Sequence, residues 1–152
     1  MQQFNYDLNE IKDSLIYIIR YIVGKRASDA DYYYRHTACR SDSAILSELC
    51  FDSVLWLAAN LRARWDGYAI KGDVLTISLE FLENIETSSD KYSETELLLR
   101  QAIIYRMLYL WLRLTGHPEA SKWEQESLSA SQEVDRIIRI NGPLKQRPFP
   151  PL

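Results

Sequence analysis

The chain has 152 residues, of which 47% are hydrophobic and 26% are charged. This length and composition predict one globular domain whose core needs neither a metal ion nor a disulfide to hold it together. The net charge of −3 at pH 7 disfavours nucleic acid as the main ligand, because such binders carry a basic face that neutralises phosphates.

The N-terminal stretch carries no sign of a targeting sequence. MQQFNYDLNEIKDSL has neither a basic segment nor an apolar one. We also expect no stretch that is long and apolar enough to span a membrane. These patterns predict a protein that has no membrane contact and stays in the cytoplasm of the cell that makes it.

The first predicted helix begins at Asp7, with Glu10 three residues later as in a capping box, and ends at Gly24. Apolar residues recur at helical spacing along one face: Leu8, Ile11, Leu15, Ile18, Ile19 and Ile22. The other face mixes charged and apolar side chains and is expected to meet water or a neighbouring molecule: Lys12, Asp13, Ile16, Tyr17, Arg20 and Tyr21.

Residues 27–42 are polar, follow no clear helical period and are predicted to form a loop. The loop contains three consecutive tyrosines, Tyr32, Tyr33 and Tyr34. Either alternate rings cover the ends of neighbouring helices, or the segment is a contact loop for a partner chain. The second interpretation is open because adjacent side chains of an extended segment point to opposite sides and cannot all enter one core.

A second helix is predicted from about Ser43 to Arg64, with Ser41, Asp42 and Ser43 as candidate N-caps. We expect Trp56 to belong to the core. The buried face is predicted to consist of Ile45, Leu46, Leu49, Val54, Leu57, Ala58 and Leu61, widened by Cys50, Phe51, Leu55 and Trp56.

A β-hairpin is predicted at about residues 68–82. Apolar and polar residues alternate from Val74 to Phe81, and Lys71, Gly72 and Asp73 form the turn before them. An isolated hairpin is marginally stable in water, so it must pack against the helices or extend a sheet shared with a neighbouring subunit. Residues 83–92 are predicted to form a surface linker.

The longest predicted helix extends from Ser93 to Gly116, with a capping box formed by Ser93 and Glu96. Gly116 and Pro118 mark its end. Its apolar side chains surround the axis, which predicts burial on most sides: Leu97, Leu98, Leu99, Ala102, Ile103, Ile104, Met107, Leu108, Leu110, Trp111, Leu112 and Leu114. Polar and cationic residues interrupt the run before it reaches the length of a membrane span: Arg100, Gln101, Arg106 and Arg113.

A last amphipathic helix is predicted from Pro118 to about Ile140, where Asn141 and Gly142 stop it. The Pro-rich residues 141–152 follow as an extended tail, which either docks into a groove or is a frayed terminus. The elements together predict a mainly α protein. Its domain, residues 1–140, is a four-helix bundle-like unit with the hairpin inserted between the second and third helices.

The sequence offers no recognisable catalytic, cofactor or metal motif. We expect Cys39 and Cys50 to be reduced, because two cysteines are too few for a disulfide framework. His36, Cys39 and Cys50 could be considered as zinc ligands, but no second closely spaced pair completes a tetrahedral site. His117 would have to come from the end of a helix far along the chain. Neither histidine has a Ser, Cys or Asp beside it in a known catalytic motif. We therefore predict that the protein is not an enzyme and binds no cofactor.

The order of elements resembles the small neck proteins of tailed phages, including the head–tail connector (adaptor) group. The resemblance rests mainly on Leu97–Glu126, LLLRQAIIYRMLYLWLRLTGHPEASKWEQE, in which an aromatic-rich helix is followed by a short linker and by Ala120 and Trp123. The Pro-rich end, RPFPPL, is similar to the extended tails by which such proteins hold their neighbours.

The resemblance implies a non-enzymatic virion subunit, made in the host cytoplasm and located in the neck or tail. Copies of it would form a ring that contacts the portal protein and tail or neck proteins, while DNA passes through the channel without specific binding. Partner contacts would then involve Tyr32, Tyr33, Tyr34, Tyr68, Phe149 and Leu152.

Two other functions remain open from the residues. The first is a small cytoplasmic regulatory module that binds another protein as a monomer or dimer. The second is a DNA-binding regulator that uses the second helix with Arg62 and Arg64.

Overall fold

The structure is a computed structural model that describes residues 2–26, 28–61, 65–79 and 89–140. Within these ranges the chain forms β1 (Gln2–Asp7), α1 (Leu8–Arg26), α2 (Ala30–His36), α3 (Ser43–Leu61), β2 (Trp65–Lys71), β3 (Val74–Leu79), α4 (Asp90–Leu114) and α5 (Ala120–Ile140). The predicted mainly α class is confirmed, and the hairpin lies between the second and third of the four long helices, α1, α3, α4 and α5.

Helix α4 lies at the centre of the bundle and packs against α5, α3 and α1. It begins three residues before the predicted start, because Ser89 accepts a hydrogen bond from the amide of Tyr92 at 3.2 Å and so caps the helix. Its end is as predicted. Gly116 has a φ of 70°, and the amide of His117 donates to the carbonyl of Leu112 at 2.8 Å, which is a Schellman C-cap.

The cation of Arg106 on α4 lies against aromatic rings. The guanidinium of Arg106 lies 4.4 Å from the ring centroid of Trp56 and 4.6 Å from that of Tyr109. Aromatic faces attract a cation through their quadrupole, so this sandwich joins α3 to α4. Trp56 is half-buried and packs against the core, as the sequence predicted.

The hairpin belongs to a three-stranded antiparallel sheet in the order β1-β3-β2. Strand β1 pairs with β3 from Gln2 opposite Leu79 to Asp7 opposite Val74. The sequence did not predict β1, since only Phe4 and Tyr6 alternate with polar residues there. One edge of the hairpin is therefore paired within the chain, and helix α1 begins at Leu8, one residue after the predicted Asp7.

The prediction that residues 27–42 form a loop is wrong for α2 and for a 3-10 turn at Arg40–Asp42. The carboxylate of Asp29 accepts a hydrogen bond from the amide of Tyr32 at 2.7 Å and caps α2. A seven-residue helix is marginal alone, and tertiary contacts stabilise it. The indole N–H of Trp111 donates to the carbonyl of His36 at 2.8 Å, which attaches the end of α2 to α4.

Several predicted boundaries move or lie outside the described residues. The supposed linker at 83–92 contributes its last three residues to the first turn of α4, and α5 begins at Ala120 instead of Pro118. The predicted end of the second helix, with Arg62 and Arg64, lies outside the described residues, as do most of the linker and the whole tail at 141–152.

One described stretch, Ala30–Leu61, is long and apolar enough to cross a membrane by length and composition alone. The expectation that no stretch would reach this limit is therefore wrong. Core helices pass the same test when they are rich in apolar side chains, and α3 buries Leu46, Val54 and Leu57 completely.

Candidate interaction surfaces

The three consecutive tyrosines divide between core and surface because they lie on a helix. Tyr32 is half-buried, with its ring centroid 4.5 Å from that of His36 and 6.1 Å from that of His117. Tyr33 is also half-buried and meets Tyr34 edge to face at 5.9 Å, whereas Tyr34 is 76% exposed. We call Tyr33 and Tyr34 the tyrosine face of α2.

A buried histidine pair joins the end of α2 to the segment that follows α4. His36 ends α2 and His117 follows α4, yet their rings lie 5.2 Å apart and both side chains are buried. In the sequence, His117 follows a helix far along the chain from His36. The two histidines meet because the C-terminal end of helix α4, which precedes His117, docks against α2.

The environment of His36 disfavours protonation of its imidazole. Burial lowers the pKa of His36, and the nearby Arg35 cation lowers the pKa further. The imidazole faces Tyr32 on its own helix and His117 from the segment after α4. Protonation would therefore place a charge among aromatic rings beside an existing cation.

Acidification should lower the free energy of unfolding through His36. The ordinary histidine pKa is about 6.5 in the unfolded chain and lies lower in the folded one, so the unfolded chain takes up the proton first. The contribution is complete above about pH 6.5 and is lost as the pH falls towards the folded pKa. Urea unfolding measured at a series of pH values checks this.

The matched variant is His36→Gln, which cannot be protonated in this range. Its unfolding free energy should depend less steeply on pH below the ordinary histidine pKa than that of the unmodified chain. Identical slopes for the two proteins would show that His36 does not carry the effect.

A second exposed apolar surface is formed by residues of α3 and of the sheet. The ring of Phe51 meets that of Tyr68 edge to face at 5.8 Å, and Ile70 lines the same shallow depression as Phe51. Leu55 lies one helical turn beyond Phe51 and is exposed as well. We call Phe51, Leu55, Tyr68 and Ile70 the hairpin patch. The prediction that Phe51 and Leu55 widen the buried face of the second helix is wrong, because they point away from the core formed with α4.

A third surface is a groove of about 660 Å³ between α1 and α4. Ile18 and Ile104 supply apolar lining, and the guanidinium of Arg100 donates to the hydroxyl of Ser14 at 2.8 Å across the two helices. Tyr17 and Leu97 line it but are 75% and 65% exposed. Leu97 was predicted to be buried, yet it faces this α1–α4 groove.

The two cysteines are free thiols. Cys39 is partly exposed beside the 3-10 turn, and Cys50 is buried in α3, where desolvation raises its pKa to about 11. Among the described residues, no group of three or more His, Cys, Asp or Glu side chains is arranged to hold a metal ion. The remaining predicted contact residues, Phe149 and Leu152, lie outside the described part of the chain.

Comparison with protein-family models, with curated proteins and with solved structures finds no match for this chain. The function must therefore be argued from the surfaces themselves.

Proposed function

We propose that this protein is a non-enzymatic structural subunit that assembles head to tail with copies of itself. The supporting observation is the presence of two dissimilar exposed aromatic surfaces, the tyrosine face of α2 and the hairpin patch. Aromatic residues are enriched where protein surfaces meet, because their rings bury much area at low conformational cost.

Two different surfaces favour a ring over a two-fold dimer. An isologous dimer uses the same surface on both copies, whereas a heterologous contact joins one surface to a different one and closes into a ring when the rotation permits. The tyrosine face and the hairpin patch share no residue and lie on different elements. In the assembly, the tyrosine face of one copy packs on the hairpin patch of the next.

The resemblance to tailed-phage connector proteins gives this ring a proposed place in the neck of a virion, between portal and tail. The remaining surfaces would contact the portal protein and the tail or neck proteins. The net charge of −3 is compatible with a channel that lets DNA pass without gripping its phosphates.

Self-association should depend on the hairpin patch. Phe51 is 44% exposed and central to the patch, so Phe51→Asp places a charge in the proposed contact and should weaken association at least about tenfold. Sedimentation equilibrium over a wide concentration range measures the change, and electron microscopy of concentrated protein shows whether the oligomers are rings.

The control is Leu128→Asp on α5, since Leu128 is also 44% exposed but belongs to neither surface. Its association should match that of the unmodified chain. A protein that stays monomeric at every concentration, or one that both substitutions weaken equally, would contradict the proposal. A salt-dependent shift of duplex DNA would instead favour the regulator that uses Arg62 and Arg64, and we expect no shift.

A further inference from the structure

The α1–α4 groove is left open by the residues that the structure describes. Tyr17 on α1 and Leu97 on α4 line it and stay largely exposed, although Ile18 and Ile104 make its lining apolar. Tyr105 also lines the groove, and its ring meets Trp123 of α5 at 5.2 Å. Tyr105 therefore connects the wall of the groove to α5.

The course of α5 brings the chain to one end of this groove. Helix α5 runs antiparallel to α4. The ring of Tyr105 meets that of Trp123, and the earlier residue Glu94 interacts electrostatically with the later residue Arg136. Helix α5 consequently ends beside the first turns of α4, where Leu97 lies. Residues 141–152 continue from this point.

The remaining chain is long enough to follow the groove. The ten residues from Pro143 to Leu152 would cover about 30 Å as a polyproline helix, which rises about 3.1 Å per residue. Leu97 and Tyr105 are about 12 Å apart along α4 at about 1.5 Å per residue. Asn141 and Gly142 are residue types that reverse chain direction readily, so the segment can return along α4.

The chemistry of the segment matches that of the groove. Pro-rich segments dock into grooves lined by aromatic rings, because they lose little entropy on binding. Tyr17 and Tyr105 provide such rings, and Phe149 with Leu152 provides apolar side chains to fill the space between them. The segment carries Lys145 and Arg147, but both Asp13 and Arg100 line the groove, so the match rests on the aromatic and apolar side chains and not on charge.

We propose that Pro143–Leu152 binds in the α1–α4 groove of its own chain. The bound segment covers Tyr17 and Leu97, which line the groove. This inference does not depend on ring assembly, since it concerns contacts within one copy.

Photo-cross-linking of the full chain tests the proposal. A benzophenone amino acid in place of Phe149 should form cross-links that migrate as a monomer and map to residues 13–18 of α1 and 97–105 of α4. Cross-links that map elsewhere, or that join two chains, would overturn the assignment to the same copy.

One substitution inside the groove and a matched one outside it test whether the cross-link depends on the groove. Leu97→Asp should lower the cross-link yield about tenfold, because it places a charge in the apolar site. Leu114→Asp should leave the yield unchanged, since Leu114 is 64% exposed on the same helix but lies outside the groove. Equal yields for the two variants would overturn the proposal.

Competition with a free peptide gives an independent readout. A labelled peptide of residues 143–152 should bind full-length protein carrying Phe149→Ser and Leu152→Ser at least about tenfold more tightly than the unmodified chain, whose own tail competes at a high effective concentration. Equal affinity for the two proteins, or no binding to either, would contradict a groove that is filled by the tail.

Discussion

Replacing Leu108 with alanine should lower the free energy of unfolding by about 2–5 kcal/mol. Leu108 lies in the C-terminal half of α4 and is completely buried, so the shorter side chain leaves a cavity that the surrounding helices fill only in part. Urea unfolding followed by circular dichroism measures the loss.

Leu114→Ala is the matched control, because it makes the same change on the same helix at a side chain that is 64% exposed. Its effect should stay within about 0.5 kcal/mol. Similar losses at the two positions would mean that α4 is not the central buried helix of this domain.

Replacing Phe4 with alanine should cost about 3–5 kcal/mol. Phe4 is fully buried, and its ring stacks on that of Tyr92 with centroids 4.6 Å apart. The variant therefore loses both a core ring and one of the contacts that attach β1 to α4. Thermal and urea unfolding should show the loss, and hydrogen exchange should show faster exchange in β1 than in α4.

Gln3→Ala tests whether this effect comes from the ring or from the strand. The side chain of Gln3 is exposed, and its backbone carbonyl still accepts the hydrogen bond from the Tyr92 hydroxyl at 2.6 Å after the substitution. Its stability should change by no more than about 0.5 kcal/mol. A Phe4→Ala variant as stable as Gln3→Ala would show that β1 contributes little to the fold.

Local sequence signals predicted the long helices and the hairpin well. Gly116 and Pro118 mark a real C-cap, and Gly72 stands in the hairpin turn with a φ of 59°. These features depend on the backbone preferences of a few adjacent residues, so they can be recognised without knowing the tertiary structure.

Elements that depend on distant contacts could not be predicted in the same way. Strand β1 pairs with β3 more than 60 residues along the chain, from Gln2 opposite Leu79 to Asp7 opposite Val74. Helix α2 is short and is held by the hydrogen bond from Trp111 and by the contact between His36 and His117. The two alternating apolar positions of β1 do not indicate that it will pair with β3. The tyrosine run of α2 likewise does not indicate its contacts with α4 and His117.

The division of apolar residues between core and surface was also predicted only in part, because it depends on distant contacts. Tyr34 was expected at a contact and is exposed, whereas Phe51 and Leu97 were assigned to the core from helical spacing. Helical period identifies a face but not which neighbour covers it. A wide apolar stripe extends beyond the area that the neighbouring helices bury, and its margins become the hairpin patch and the α1–α4 groove.

Mixing two complementary variants tests head-to-tail assembly most directly. Tyr34→Asp blocks the tyrosine face, and Phe51→Asp blocks the hairpin patch, so neither variant should associate alone. In an equimolar mixture each retains the surface that the other lacks, and one contact can form. Sedimentation at a concentration where the unmodified chain forms larger oligomers should then show a dimer containing one copy of each variant. A mixture that stays monomeric, or variants that assemble alone, would contradict a contact between these two surfaces.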